Sequence, residues 1–290
     1  MSEMPAARQQ GPLALICGAG TLPLAVADFV SARGRQVLLF PLHGIAKPED
    51  YAGRPHTWVR IAQFGTFARA ARAAGCHELV LIGSLVRPAF WQLRFDLTTL
   101  RLVPRIAAAF RGGDNHLLSS GARLIEEQGF RVLGAHDVAP EILVPQGALG
   151  AVAPTQQDHD DIALGFDYLH ATGAFDVGQA VVVAGKYVLA VEAAEGTDLM
   201  LARVAEMRAS GRVRTPIGTG VLVKAPKPTQ DRRFDLPSIG PLTVDGIVRA
   251  GLGGIAVAAG ETVVAEPALL AQAADRAKVF VVGMPGGKAP

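Results

Sequence analysis

The chain holds 290 residues, half of them apolar and 19% charged, enough for one large or two ordinary cores and too apolar for a disordered protein. A formal net charge of +2, with no Lys/Arg-rich run interleaved with aromatics, argues against a nucleic-acid partner. Cys17 and Cys76 lie in apolar segments, the opening MSEMPAARQQG has no signal-peptide pattern, and no stretch approaches 18 uninterrupted apolar residues, so the expectation is a reduced cytoplasmic protein that spans no membrane.

Taken in chain order, residues 12–17 (PLALIC), 36–40, 78–83 and 130–134 are short, near-continuously apolar runs, the signature of parallel strands covered on both faces. Helical spacing over 22–33, 65–75 and 115–128 alternates with them, which predicts an α/β domain with a doubly wound, Rossmann-like parallel sheet over residues 1–134. Residues 135–154, with three prolines, two glycines and no sustained period, read as a linker. A second α/β domain over 155–290 opens on Thr155 as helix cap with Asp158 three residues on. It continues with a two-stranded turn over 181–192, a helix over 198–210, a strand at 220–224, a helix over 241–250, a strand at 254–258, a helix over 266–277 and a strand at 278–283.

Several short motifs carry chemistry. In ICGAGTLP (16–23), Gly18 and Gly20 permit close backbone approach between a strand and a helix start, a geometry that binds phosphate or simply makes a tight turn. A dinucleotide fingerprint wants glycine where Pro23 stands and an acidic residue closing the next strand, which ends Leu38-Leu39-Phe40-Pro41, so NAD is disfavoured. GDNH (113–116) resembles a metallophosphatase element without its upstream D-x-H, and EEQGF (126–130) resembles the tail of a Nudix box with Ala122 and Arg123 at two essential positions. Both are better read as an amphipathic helix with Asp114 or Asn115 as its cap. The acidic run QQDHDD (156–161) suits the first turn of a helix by its dipole, with a metal cluster as the alternative. Glu192, Glu195 and Asp198 surround a strand-to-helix turn, where converging carboxylates hold Mg²⁺ or Asp198 merely caps the helix.

KAPKPTQDRRFD (224–235) is the densest charged stretch, and Pro226 and Pro228 keep it out of a helix. It leaves the C-terminal end of a strand, where open α/β sheets place ligands. Lys224 and Lys227 suit phosphate neutralisation, Arg232 or Arg233 bidentate phosphate binding, and Asp231 or Asp235 a metal or an attacking water, unless the loop is only a solvated surface.

GAGTLP, GSLVRP (83–88), GDNHLLSSGARLIEEQGFRVLGAHD (113–137), AVEAAEGTDLMLAR (190–203) and KAPKPTQDRRFDLPSIGP (224–241), in this order, closely resemble the LpxI family, the UDP-2,3-diacylglucosamine pyrophosphatases of lipid A biosynthesis. The resemblance implies a cytoplasmic, Mg²⁺-dependent hydrolase that splits UDP-2,3-diacylglucosamine into lipid X (2,3-diacylglucosamine 1-phosphate) and UMP, with water attacking the β-phosphorus. It implies two domains with the substrate between them, the C-terminal one catalytic and lipid-binding, and a homodimer. Lipid substrate and product imply peripheral work at the inner-membrane face.

On these motifs Asp231 is expected as metal ligand or water-orienting base with Asp235 in support, Lys224 as phosphate clamp, and Glu195 and Asp198 as further metal ligands. Gly18, Ala19, Gly20, Thr21, Arg87, Asp114, Asn115, Thr197, Lys227, Arg232 and Arg233 are the expected substrate contacts. FWQLRF (90–95) and the apolar residues of 97–110 are offered as an acyl slot or a dimer contact, with ordinary core as the alternative. Two rivals stand beside the hydrolase: a nonenzymatic nucleotide-sugar sensor, which has no use for carboxylates near a diphosphate, and a sugar-nucleotide transferase, in which an acceptor hydroxyl replaces water.

Overall fold

The computed structural model describes residues 11–84, 95–109, 114–175, 177–228 and 230–285. The chain forms two compact units, one comprising residues up to Pro140 together with Asp231–Phe234, the other Glu141–Gln230 and the chain from Asp235 onward.

In the first unit the elements follow as β1 (Leu13–Cys17), α1 (Leu22–Ala32), β2 (Val37–Pro41), α2 (Phe64–Ala73), β3 (Glu78–Ile82), α3 (Leu97–Ala109), α4 (Asp114–Glu127), β4 (Arg131–Leu133) and α5 (Ala135–Val138). The pairings between these strands are parallel, in the order β2-β1-β3-β4, with Leu13 opposite Val37 on one side and Glu78 on the other. The chain runs outward from β1 to β2 and then returns across β1 to β3, the reversal that defines a doubly wound sheet. Helix α1 buries Pro23, Val26, Ala27 and Val30, the i, i+3, i+4 spacing of one face. Phe40, Phe67 and Phe130 meet in the core, the first two edge to face with ring centroids 5.0 Å apart. Phe234, from the short segment that joins this unit late in the chain, packs half-buried against the same cluster. The apolar stretch 97–110 is largely helix α3, whose start is fixed by Asp96 accepting from the Thr99 amide and hydroxyl, both at 2.8 Å. Leu97 and Leu100 on it are exposed, while residues 90–94 lie outside the described set.

Residues 135–154 are more than a linker. They hold α5, a 3-10 turn at Pro140–Ile142 and β5 (Gly147–Ala148), which pairs antiparallel with the last strand of the second unit. The prolines and glycines hid these elements because each is only two to four residues long, too short for a periodic signal.

The second unit continues with α6 (Gln156–Thr172), β6 (Ala180–Ala184), β7 (Tyr187–Val191), α7 (Gly196–Ala209), β8 (Val221–Lys224), β9 (Ser238–Ile239), α8 (Pro241–Arg249), β10 (Gly254–Ala258), β11 (Val263–Val264), α9 (Pro267–Ala277) and β12 (Phe280–Met284). Its main sheet has the order β5-β12-β10-β8-β6-β7, with β8, β10 and β12 parallel and β6 antiparallel to β8 and β7. Alternate residues face opposite ways. Val182, Leu222, Ile255 and Val281 join residues of α7, α8 and α9 in one core, whereas Val181, Val183, Val223 and Ala256 join Ile162, Phe166 and Leu169 of α6 in the other. The result is a sheet sandwiched between helices.

Helix α6 begins in a capping box. The Asp158 amide donates to Thr155 Oγ1 at 3.3 Å, and the Thr155 amide donates to Asp158 Oδ2 at 2.8 Å. Asp161, fully buried, accepts from the amides of Gly185 and Lys186 at 2.9 and 2.6 Å. Those two residues form the β6–β7 turn with φ of 60° and 65°, the paired left-handed geometry of a two-residue hairpin. The acidic run at 156–161 therefore builds structure.

Candidate functional site

The C-terminal end of β8, the N-terminal end of β6 and the C-terminal end of β7 lie on one edge of the second unit's sheet, because β6 runs antiparallel to both neighbours. A cavity of about 280 Å³ opens at that edge, lined by Gly178, Gln179, Glu192, Lys224, Lys227, Asp235, Leu236, Pro237 and Ser238. Three of its residues come from the charged stretch noted in the sequence: Lys224, Lys227 and Asp235.

Lys224 closes β8 and is only 7% exposed. Its Nζ donates to Thr197 Oγ1 at 3.0 Å and to the Ser238 carbonyl at 3.1 Å. Burial pushes its ammonium below the ordinary lysine range, while the negative charges of Glu192, Asp198 and Asp235 pull the other way. Glu192 follows β7 and is 9% exposed. Its Oε1 accepts from the Thr197 hydroxyl at 2.6 Å, and its Oε2 accepts from the Gln179 amide at 2.7 Å. Gln179 Nε2 in turn donates to Asp235 Oδ2 at 3.0 Å. Glycine is required at 178, since a Cβ there would stand 2.5 Å from Glu192 Cγ and 2.6 Å from its carbonyl oxygen.

Of the expected metal ligands in this unit, Glu195 pairs with Arg203 at 2.8 Å and Asp198 is exposed on the first turn of α7. The carboxylate of that turn that enters the cavity is Glu192, which the sequence placed beside Glu195 and Asp198 without preferring it. The last residues of the strand alternate, so Glu192 shares the inward side with Ala190, and that alternation was the available signal. Gln179 and Ser238 carry no sequence motif. Ser238 acts through its backbone carbonyl, which any residue supplies.

Asp231 belongs to the first unit. Arg233 donates to its Oδ1 through the backbone amide (3.1 Å) and Nε (3.0 Å), and to its Oδ2 through Nη2 (2.8 Å), with Ser119 Oγ donating to Oδ2 at 3.3 Å. Arg233 holds the Asp231 carboxyl below its ordinary range. Arg233 also pairs with Glu126 at 2.9 Å and lies over the Phe234 ring, its guanidinium carbon 5.2 Å from the centroid. It is thus engaged with protein carboxylates. Arg232 is exposed.

At the glycine turn of the same unit, the Gly18 amide donates to the Ile82 carbonyl at 2.8 Å, and Ala19 and Ser84 exchange amide–carbonyl bonds of 2.9 Å. A Cβ at Gly18 would stand 2.6 Å from the Ser84 oxygen. Gly18 and Ala19 therefore serve the approach of two chain segments. Gly20, at φ 97°, and Thr21 lead into the N-terminus of α1. Asp114 and Asn115 begin α4, but their side chains lie outside the described residues, as does Arg87. Among the described residues no group of three or more His, Cys, Asp or Glu side chains converges as a metal-binding cluster, and no helix is long and apolar enough to cross a membrane.

Residues 12–142 match the LpxI N-terminal domain and residues 145–282 the LpxI C-terminal domain. Over 274 residues the chain is 40% identical to a Caulobacter vibrioides protein, the "UDP-2,3-diacylglucosamine pyrophosphatase LpxI", covering 94% of this chain and 97% of that one. The two domain matches together take in both units and all the motifs quoted above, and with this full-length relative they establish that the chain belongs to the LpxI family.

Proposed function

We propose that this chain hydrolyses UDP-2,3-diacylglucosamine to 2,3-diacylglucosamine 1-phosphate and UMP. The observation that carries the reading is Lys224, a buried ammonium pinned by Thr197 and Ser238 at the wall of a cavity it shares with Lys227. Its third N–H has no protein partner among the described residues and suits a phosphate oxygen. A nucleotide-sugar diphosphate repels an incoming water by its own negative charge, and fixed cations lower that barrier without reorganising. The family relative named for this reaction supports the same substrate.

In the proposed step, a water oxygen bonds to the β-phosphorus, the bond from that phosphorus to the bridging oxygen breaks, and the bridging oxygen leaves as part of UMP. Lys224 and Lys227 neutralise the phosphate oxygens. Asp231 is the proposed water-orienting carboxylate, and Ser119 and Arg233 keep it ionised.

Mg²⁺ takes one or two carboxylates and fills its remaining positions with water and phosphate oxygens, so it needs no three-residue cluster. Asp235 fits this demand best: it lines the cavity and accepts from Gln179 Nε2 through Oδ2. Asp231 fits only if a donor lets go, because four hydrogen bonds already fill its acceptor positions. Bound there, the ion would supply charge neutralisation on the diphosphate.

The test is incubation of purified protein with UDP-2,3-diacylglucosamine and Mg²⁺ in ¹⁸O-water, with products read by mass spectrometry. UMP with the label in the sugar-lipid phosphate is the expected result. Label in UMP would overturn the β-phosphorus assignment, and absence of UMP would overturn the hydrolase.

A further inference from the structure

We propose that Glu192 is a positioning residue that sets the direction of a two-step relay, Glu192–Thr197–Lys224, and so aims the Lys224 ammonium into the cavity. This inference rests on the pyrophosphatase reading only for what the aimed ammonium then does.

The geometry fixes where each proton lies. The Gln179 amide can only donate, and it occupies Glu192 Oε2 at 2.7 Å. Lys224 Nζ can only donate, and it reaches Thr197 Oγ1 at 3.0 Å. The single hydroxyl proton of Thr197 must then point away from Lys224, and it finds Glu192 Oε1 at 2.6 Å. Glu192 thus stands between two donors, a place only an acceptor-only group fills on both oxygens. Glutamine is isosteric but would turn an NH₂ toward either the Gln179 amide or the Thr197 hydroxyl.

The surroundings are built around this carboxylate. Gly178 has no side chain where Glu192 passes, and the Gly178 amide donates to the Glu192 carbonyl at 3.0 Å while the Glu192 amide donates to the Ala180 carbonyl at 2.9 Å. The charges facing Lys224 are Glu192 from the end of β7, Asp198 from the first turn of α7 and Asp235 from the segment before β9, with Lys227 on the same cavity wall. Glu192 alone among these acidic groups also bonds the hydroxyl that holds Lys224.

The experiment compares wild type with Glu192→Gln, Thr197→Val, Thr197→Ser and the Glu192→Gln/Thr197→Val double variant. Two readouts are taken: the pH profile of kcat/KM for UMP release, and the titration of the Lys224 Cε resonance in protein carrying ¹³C-lysine. Glu192→Gln and Thr197→Val should each lower kcat about tenfold or more, the scale of a lost charge-assisted hydrogen bond. Each should move the basic limb, and the Lys224 titration with it, to lower pH. The double variant should be no worse than the poorer single one, and Thr197→Ser, which keeps the hydroxyl, should restore the basic limb and the Lys224 titration toward their wild-type pH.

An unmoved basic limb and an unmoved Lys224 resonance in Glu192→Gln would overturn the relay, as would additive losses in the double variant. If Glu192→Gln does not fold, the Thr197→Val and Thr197→Ser pair decides by the same resonance. A wild-type protein that releases no UMP would refute the hydrolase reading while the Lys224 titration still decides the relay.

Discussion

Arg233 clasps Asp231 from two residues downstream, with its backbone amide and Nε on one carboxylate oxygen and Nη2 on the other. The contact keeps Asp231 ionised into the acid range. Removing the guanidinium by Arg233→Ala takes away the largest cause of that depression, so the Asp231 pKa rises. The acid limb of kcat/KM, below which Asp231 is protonated, is expected to move to higher pH. A pH–rate profile of the variant, with Ser119→Ala as a milder companion, checks it.

Asp231→Ala is expected to lower turnover by at least about a hundredfold, the low end for a positioned acid–base group, with circular dichroism unchanged. Near-normal UMP release by this variant with Mg²⁺ present would remove Asp231 from the chemistry.

Lys224 gives activity the opposite pH dependence to Asp231, although both shifts favour stability at higher pH. Its folded pKa lies below that of an unfolded lysine, so between the two values the unfolded chain binds more protons and stability rises with pH. Activity runs the other way, because the charged ammonium is the form that grips phosphate. Lys224→Met is expected to flatten the alkaline rise in urea midpoint while cutting kcat/KM, and denaturant titrations at pH 7 through 10 read the first effect.

Gly178→Ala places a methyl group against Glu192 and forces the start of β6 or the end of β7 to move. Overpacking of this kind costs about 1–3 kcal/mol, and the displaced Glu192 should lower activity as well. A urea midpoint that falls while activity per folded molecule stays at the wild-type level would show that the strain spares the cavity.

Mg²⁺ dependence is tested by removal. Treatment with EDTA should abolish UMP release and added Mg²⁺ restore it, whereas Asp235→Asn should raise the Mg²⁺ concentration needed for half-maximal rate. Full activity in EDTA would eliminate the ion.

The core strands were legible because they are buried runs such as LALIC and AVVVA, and the Thr155 cap because its Asp158 partner sits at the required spacing. The two-residue strands β5, β9 and β11 were not, since a pair of residues has no period. Lys224 was legible as a charge ending an apolar strand. Its partners were not, because a threonine hydroxyl, a serine carbonyl and the choice of Glu192 over Glu195 depend on which way each side chain turns after the chain has folded. At the glycine turn, too, the partner appears only after folding: the close approach that Gly18 permits is to residues 83–84.

Phe234 completes a core whose other members end at Val132. A ribosome making this protein must therefore synthesise about a hundred further residues before Phe234 can cover that side of the core, and a polypeptide cut after residue 142, where the N-terminal family match stops, would lack this cover and the contacts of Glu126 with Arg233 and of Ser119 with Asp231.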